Sequence, residues 1–114
     1  GRRYQDLVPA TELVRPNKSS GPKKNVGWAY CACTKERDLF MLYLERDCPQ
    51  AILSGGLAGA KYETLWFNPR QGGWLESKPE ILIADSDGEI RLPGFPDGTA
   101  KCGEDWALKL VVCP

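Results

Sequence analysis

The sequence predicts an all-β protein, an antiparallel β-sandwich of about eight short strands. Short runs of β-branched and aromatic residues are separated by turn signals rich in glycine, proline and aspartate. No stretch has helical periodicity over three turns. A length of 114 residues suits one domain with one core. The predicted strands span residues 26–34, 39–44, 49–53, 61–67, 74–77, 80–84, 90–92 and 106–112.

The first 25 residues have little periodicity, so we divide the chain into a connector and loop at 1–25 and a sandwich domain at 26–114. Residues 15–25 are basic and rich in proline, glycine and serine, which is typical of a mobile, solvated loop. The connector before them carries apolar side chains that we expect to dock against a neighbour. These side chains are Tyr4, Leu7, Val8 and Leu13.

Two strands have diagnostic patterns. Residues 39–44 are apolar on both faces, which predicts a central strand covered on two sides, and the polar residues 35–38 before it predict a hairpin connection. In the last strand, Trp106, Leu108 and Leu110 fall on one face, which predicts that they are buried. A slip of one residue would expose them, so the register of this strand is strongly specified.

The stretch 61–73 predicts a strand, a corner and a second strand. The first strand ends at Asn68-Pro69, because proline has no N–H for a ladder and Asn68 can bond the backbone two residues on. Gly72 allows the positive φ that such a corner requires. Arg70 is therefore expected at the tip.

The segment 85–89, Asp-Ser-Asp-Gly-Glu, has two interpretations. As a hairpin turn it would have positive φ at Asp87 and Gly88. As half of a calcium loop it would supply oxygens at a familiar spacing. The full EF-hand pattern is absent, which favours the turn.

The cysteines are odd in number, so a monomer keeps at least one thiol. Cys31 and Cys33 share one face of a predicted strand and are poorly placed to bond each other. Buried thiols, one or two disulfides, and a metal site all remain open, although Cys-x-Cys is not usual zinc spacing and the chain has no histidine. The five are Cys31, Cys33, Cys48, Cys102 and Cys113.

Several function classes are disfavoured. A formal net charge of zero gives no long-range attraction to nucleic acid or to an anionic membrane, and no apolar run approaches the length of a membrane helix. The absence of histidine excludes Ser-His and Cys-His nucleophile pairs. Three acid pairs remain, and each lies in or beside a predicted turn, where acids are usually solvated. They are Glu36 with Asp38, Glu45 with Asp47, and Glu104 with Asp105. We therefore predict no catalysis, no cofactor and no metal.

The tryptophans are the main candidates for binding. Trp66 and Trp106 are expected to fill the core, because a small sandwich needs large aromatic side chains. Trp74 lies beside glycines and a turn, so it could instead stack on a sugar ring. Arg70 and Asn68 could bond sugar hydroxyls, although an arginine in this setting more often forms a local salt bridge or caps a carbonyl. We list Trp74, Arg70 and Asn68 as candidate ligand-binding residues.

The Trp-Phe-Asn-Pro-Arg run at 66–70 and the Asp-Trp-Ala-Leu run at 105–108 resemble the domain labelled putative collagen-binding domain. That domain follows the (β/α)8 barrel of apiosidase-like glycoside hydrolases. The Leu-Val-Pro run at 7–9, after Tyr4, is similar to the segment that joins barrel and domain. The family more often has aspartate where this chain has Asn68, which keeps the turn chemistry.

The resemblance implies a non-catalytic accessory domain that packs against an upstream catalytic barrel through Tyr4, Leu7 and Val8. The alternative is an independent module that binds carbohydrate or collagen. The chain begins with Gly1, which fits a cleaved product, so we expect that polypeptide continued upstream.

Overall fold

The structure is a computed structural model that describes residues 4–15, 28–46, 48–70, 72–74, 80–96 and 105–113. Within these residues the chain forms ten strands, with short 3-10 turns at Tyr4–Asp6 and Thr11–Leu13. The strands are β1 (Val8–Pro9), β2 (Val14–Arg15), β3 (Ala29–Cys33), β4 (Leu39–Leu44), β5 (Ile52–Leu53), β6 (Lys61–Asn68), β7 (Gly73–Trp74), β8 (Glu80–Ile83), β9 (Ile90–Arg91) and β10 (Trp106–Val112).

The strands form two antiparallel sheets that pack as a sandwich. The larger sheet has the order β1-β3-β4-β10-β6, and both β7 and β8 pair with the remaining side of β6. The smaller sheet has the order β2-β5-β9. The predicted all-β antiparallel sandwich is confirmed. Among the described residues, no helix has the length and hydropathy of a membrane span.

The last strand lies at the centre of the larger sheet. It pairs with β4 on one side and with β6 on the other, so that Leu108 lies between Leu42 and Trp66. Leu108 and Leu110 are fully buried and Trp106 is only 7% exposed, as the alternation in the sequence predicts. The inner face of the larger sheet is thus built around β10.

The core lies between the two inner faces. The smaller sheet contributes Val14, Leu53 and Ile90, which are almost completely buried. In the larger sheet, the rings of Phe40 and Tyr62 meet edge to face with centroids 5.8 Å apart. Such an aromatic pair contributes about 0.5–1.5 kcal/mol beyond its buried area.

The outer face of β4 differs from the prediction that this strand is covered on two sides. Phe40, Leu42 and Leu44 are buried against the smaller sheet, whereas Met41 is half-buried and Tyr43 is exposed. The physical reason is that the smaller sheet covers one face of the larger sheet only. The polar hairpin at 35–38 is as predicted, because β3 and β4 pair directly.

The N-terminal segment supplies a strand to each sheet. β1 pairs with β3, and β2 pairs with β5. The Ala10 N–H donates to the Cys31 carbonyl at 2.8 Å, and Ala10 and Val14 are buried. The domain boundary between residues 25 and 26 stays a prediction. The loop predicted at 15–25 is wrong at its first residue, because Arg15 belongs to β2 and pairs with Ile52. Residues 16–25 lie outside the described residues.

The turn after β8 is stabilised by an aspartate side chain. Asp85 Oδ1 accepts hydrogen bonds from the backbone N–H groups of Asp87 and Glu89, both at 2.9 Å. Gly88 has φ of 79°, while Asp87 does not have the positive φ that the sequence predicts. The Asp85 carboxylate holds the backbone at Asp87, so only the glycine needs the left-handed conformation. This geometry favours the turn over the calcium loop.

Candidate functional site

The outer face of the larger sheet carries a row of aromatic residues. In the strand registers, Tyr30 pairs with Tyr43, Tyr43 with Ala107, and Ala107 with Phe67. These residues therefore project to the same side of four adjacent strands. Tyr43 is 38% exposed, and Tyr30 and Phe67 are half-buried. We call Tyr30, Tyr43, Ala107 and Phe67 the outer row.

Both tyrosines of the outer row are anchored at their hydroxyl groups. Tyr30 donates to Glu45 Oε2 at 3.2 Å, and Tyr43 donates to Asp105 Oδ2 at 2.6 Å. Each carboxylate also accepts a backbone N–H. Glu45 accepts the N–H of Trp28 at 3.0 Å, and Asp105 accepts the N–H of Arg46 at 2.7 Å. These bonds restrict rotation of the two rings before anything binds.

The Tyr43 hydroxyl is a poor acid in this setting. Its hydrogen bond to the Asp105 carboxylate, together with desolvation, raises the pKa of Tyr43 to about 12 from 10.0. The carboxylate favours the protonated phenol because a phenolate would repel it. Tyr43 therefore stays a neutral hydrogen-bond donor at physiological pH.

Arg70 connects the corner after β6 to the start of β10. Its Nη1 donates to the Asp105 carbonyl, and its guanidinium lies 4.8 Å from the ring centroid of Trp106. The Trp66 ring packs edge to face against Trp106 and also contacts Phe95, with centroids 6.0 and 5.8 Å apart. Arg70 thus caps a carbonyl, and it also makes a cation–π contact with a core ring.

Asn68 holds the corner itself. Its Oδ1 accepts the Arg70 N–H at 2.9 Å, and its carbonyl accepts the Gly72 N–H at 2.8 Å. The Asn68 side chain is buried, and Gly72 has φ of 70°. The turn chemistry predicted for Asn68 and Gly72 is confirmed.

A comparison with protein families matches residues 8–111 to the family described as the putative collagen-binding domain of a collagenase. The chain belongs to this family. The match includes both runs that carry the resemblance, 66–70 and 105–108, and it begins in β1. A search of curated proteins gives no match.

The three candidate ligand residues of this collagen-binding-family domain lie close along the chain but have different surroundings. Trp74 pairs with Phe67 in the backbone register, so its strand position continues the outer row onto β7. Asn68 is buried in its turn, and the Arg70 guanidinium is placed over Trp106. Ligand binding by Trp74, Arg70 and Asn68 stays a prediction.

The predicted docking residues lie at the edge strand β1 and just before it. Val8 is 53% exposed and Leu7 is half-buried. The backbone of Tyr4 opens a 3-10 turn, and Leu13 packs against the core instead of facing outward. A contact of Tyr4, Leu7 and Val8 with another domain stays a prediction.

Two acids of the predicted pairs in this family domain have structural partners. Glu45 and Asp105 each use two carboxylate oxygens to hold a tyrosine and a backbone N–H. Asp47 and Glu104, their predicted pair members, lie outside the described residues. In the described part of the chain, no group of three or more His, Cys, Asp or Glu side chains is placed to hold a metal ion.

The described cysteines are thiols. Cys31 and Cys33 are buried side by side on the inner face of β3, and Cys113 is half-buried. Burial is the largest cause that raises the pKa of Cys31 from 9.0 to about 12, and the neighbouring Cys33 thiol is the next largest. Burial likewise raises the pKa of Cys33. These thiols are unreactive core groups, because the nucleophile is the thiolate. Cys102 lies outside the described residues.

Sequence reasoning missed the outer row. Tyr30, Tyr43 and Phe67 each follow the period-2 alternation of their own strands, and this pattern could have placed them on one face of each strand. The pattern does not show which strands are neighbours. Only the pairing of β3, β4, β10 and β6 brings the three rings into line.

Proposed function

We propose that this chain is a non-catalytic accessory domain of a glycoside hydrolase, and that the outer face of its larger sheet packs against the catalytic barrel in the same polypeptide. The observation that carries the proposal is the outer row with its anchored tyrosines. The glycoside hydrolase parent comes from the family resemblance at 66–70 and 105–108.

The size and chemistry of the outer face suit contact with another folded domain. The face crosses at least four strands, which is about 14 Å of surface across the strands. It mixes apolar and charged side chains, as interfaces between domains of one chain commonly do. Around the outer row the same face carries Met41, Leu65, Lys109 and Val111, all half-buried.

The absence of catalysis rests on the state of the acids. Glu45 and Asp105 are engaged in anchoring bonds, and the chain contains no histidine to transfer protons near neutral pH. A general acid or base must reach the proton that it moves, and both oxygens of each carboxylate already accept a hydrogen bond from the protein.

A second candidate is a module that binds polysaccharide or collagen. The observation that favours it is again the outer row, because small Ala107 separates the rings of Tyr43 and Phe67 by two strand spacings, or about 10 Å. Aromatic rings on either side of a shallow floor suit a sugar chain or an extended proline-rich chain. In this case Trp74 would extend the outer row, and Arg70 and Asn68 would lie beside it.

The experiment uses the full-length parent polypeptide and the isolated domain. We expect Met41→Ser with Tyr43→Ser to lower the melting temperature of the barrel by several degrees, since burial of one apolar side chain is worth about 1.5–3 kcal/mol. Leu7→Ser with Val8→Ser should produce part of the same shift. Leu57→Ser is the matched control, because Leu57 is an exposed apolar residue in the loop before β6 and not in a strand of the larger sheet.

Circular dichroism of each isolated domain checks that the variants still fold. A barrel that melts at the same temperature with and without an intact outer face would rule out the packing role. If the same variants then abolish binding to polysaccharide or to collagen, the second candidate is correct.

A further inference from the structure

Strand β8 is an edge strand with two exposed isoleucines. It pairs with β6 on one side, and in the described residues no strand pairs with its other side. Ile81 is 47% exposed and Ile83 is 61% exposed, while Leu82 between them packs against the core. An exposed apolar edge strand is a template for pairing with another chain.

The backbone of β8 determines which groups point away from β6. Ala84 exchanges backbone hydrogen bonds with the chain before β6, donating to Ala60 at 2.9 Å and accepting from Gly59 at 3.0 Å. Because antiparallel pairing alternates along a strand, the N–H and C=O groups of Ile81 and Ile83 point to the open side. The open edge ends at Asp85, whose N–H already donates to the Glu89 carbonyl at 3.0 Å.

We propose that this edge pairs with β8 of a second copy of the chain, antiparallel about a twofold axis at Leu82. In this register Ile81 lies opposite Ile83 of the second copy, and each pair exchanges two backbone hydrogen bonds. All the outward backbone groups of Ile81 and Ile83 are then satisfied. The two larger sheets join into one continuous sheet.

The charges and faces of β8 favour a second copy in this register. Glu80 lies opposite Ala84 of the second copy, so no like charges meet across the twofold axis. A shift of one residue would put the core-facing Leu82 opposite an exposed isoleucine. One of these two side chains would then lie on the wrong face of the joined sheet. A shift of two residues would leave one isoleucine of each copy without an isoleucine partner. The zero net charge of the chain adds no long-range repulsion.

The paired segment is short, so the dimer is weak and reversible. It lies below the area of standard stable interfaces, and its affinity is correspondingly low. In sedimentation velocity we expect the chain to shift from monomer toward dimer between about 10 µM and about 1 mM. Ile83→Lys should keep the chain monomeric through that range. Leu57→Lys, at an exposed leucine in the loop before β6 and outside the paired strand, should behave like the unmodified chain.

Single cysteine variants test the register. Under oxidation, Leu82→Cys should form a cross-linked dimer above the background of the unmodified chain, because directly opposed residues of this kind lie about 4.5 Å apart between Cα atoms, within disulfide range. Ile81→Cys and Ile83→Cys should not, because each lies opposite the other position. A chain that stays monomeric at 1 mM, a dimer unaffected by Ile83→Lys, or preferential cross-linking through position 81 or 83 would overturn the proposal.

Discussion

At the residue scale, Asp105 connects the two sides of the larger sheet. Its carboxylate anchors Tyr43 of the outer row, and its carbonyl accepts the guanidinium of Arg70. The same guanidinium covers Trp106 on the inner face. Asp105, which the sequence suggested as a possible catalytic acid, therefore has a structural role. In the Asp-Trp-Ala-Leu run this aspartate holds Tyr43 and Arg70 in place.

We predict that Asp105→Ala lowers the pKa of Tyr43 from about 12 toward its ordinary value of 10.0. The reason is that the hydrogen bond to the carboxylate, the main cause of the raised pKa, is removed. The measurement is a pH titration by NMR of tyrosine labelled at Cζ, with Tyr43→Phe to assign the signal. Asp87→Ala, a change in an exposed turn, is the control. A Tyr43 pKa that stays near 12 in Asp105→Ala would contradict this account of the anchor.

At the element scale, the turns carry much of the specificity of the fold. Gly88, in the turn between β8 and β9, donates to Asp85 and its carbonyl accepts the Gly56 N–H at 2.9 Å. A Cβ on Gly88 would lie 2.3 Å from the Gly56 carbonyl oxygen. Two loops of the sandwich therefore meet through backbone at a position where only glycine fits.

We predict that Gly88→Ala is the most destabilising of three glycine substitutions. Gly88 has positive φ and a backbone neighbour, Gly59 has φ of 75° with open space, and Gly94 has open space and no positive φ. Gly59→Ala should cost about 1–2 kcal/mol from conformation alone, Gly88→Ala clearly more, and Gly94→Ala less than about 0.5 kcal/mol. Urea unfolding measures all three. Equal losses for Gly59→Ala and Gly88→Ala would show that the contact with Gly56 adds nothing.

At the scale of the whole molecule, stability depends on groups that the fold keeps protonated. Folding raises the pKa of Cys31 from 9.0 and that of Tyr43 from 10.0, both to about 12. A raised pKa means that the folded state holds its proton more tightly than the unfolded state. The resulting stabilisation is complete below about pH 9 and is lost as the pH rises toward about 12.

We therefore predict that the free energy of unfolding decreases between about pH 9 and pH 11. Urea unfolding at a series of pH values measures it. Tyr43→Phe and Cys31→Ala should each make this decrease smaller, because each removes one group that binds its proton more tightly in the folded state. Stability that is constant from pH 7 to pH 11, or that rises over this range, would contradict the prediction.

The sequence alone determined the properties that depend on neighbouring residues. Period-2 alternation identified the inner face of β10, and turn chemistry identified the corner at Asn68 and the turn at 85–89, because these patterns act over two to five residues. The absence of histidine also excluded the usual proton-transfer pairs, because amino-acid composition does not depend on how the chain folds.

Only the tertiary structure decided what depends on distant pairing. The apolar pattern of β4 is the same whether a second layer covers one face or both, so the exposure of Tyr43 follows from where the smaller sheet lies. The outer row exists because β10, the last strand, inserts between β4 and β6. The open edge of β8 likewise follows from strand order. Strand order depends on contacts between residues far apart in the chain, and local periodicity carries no record of them.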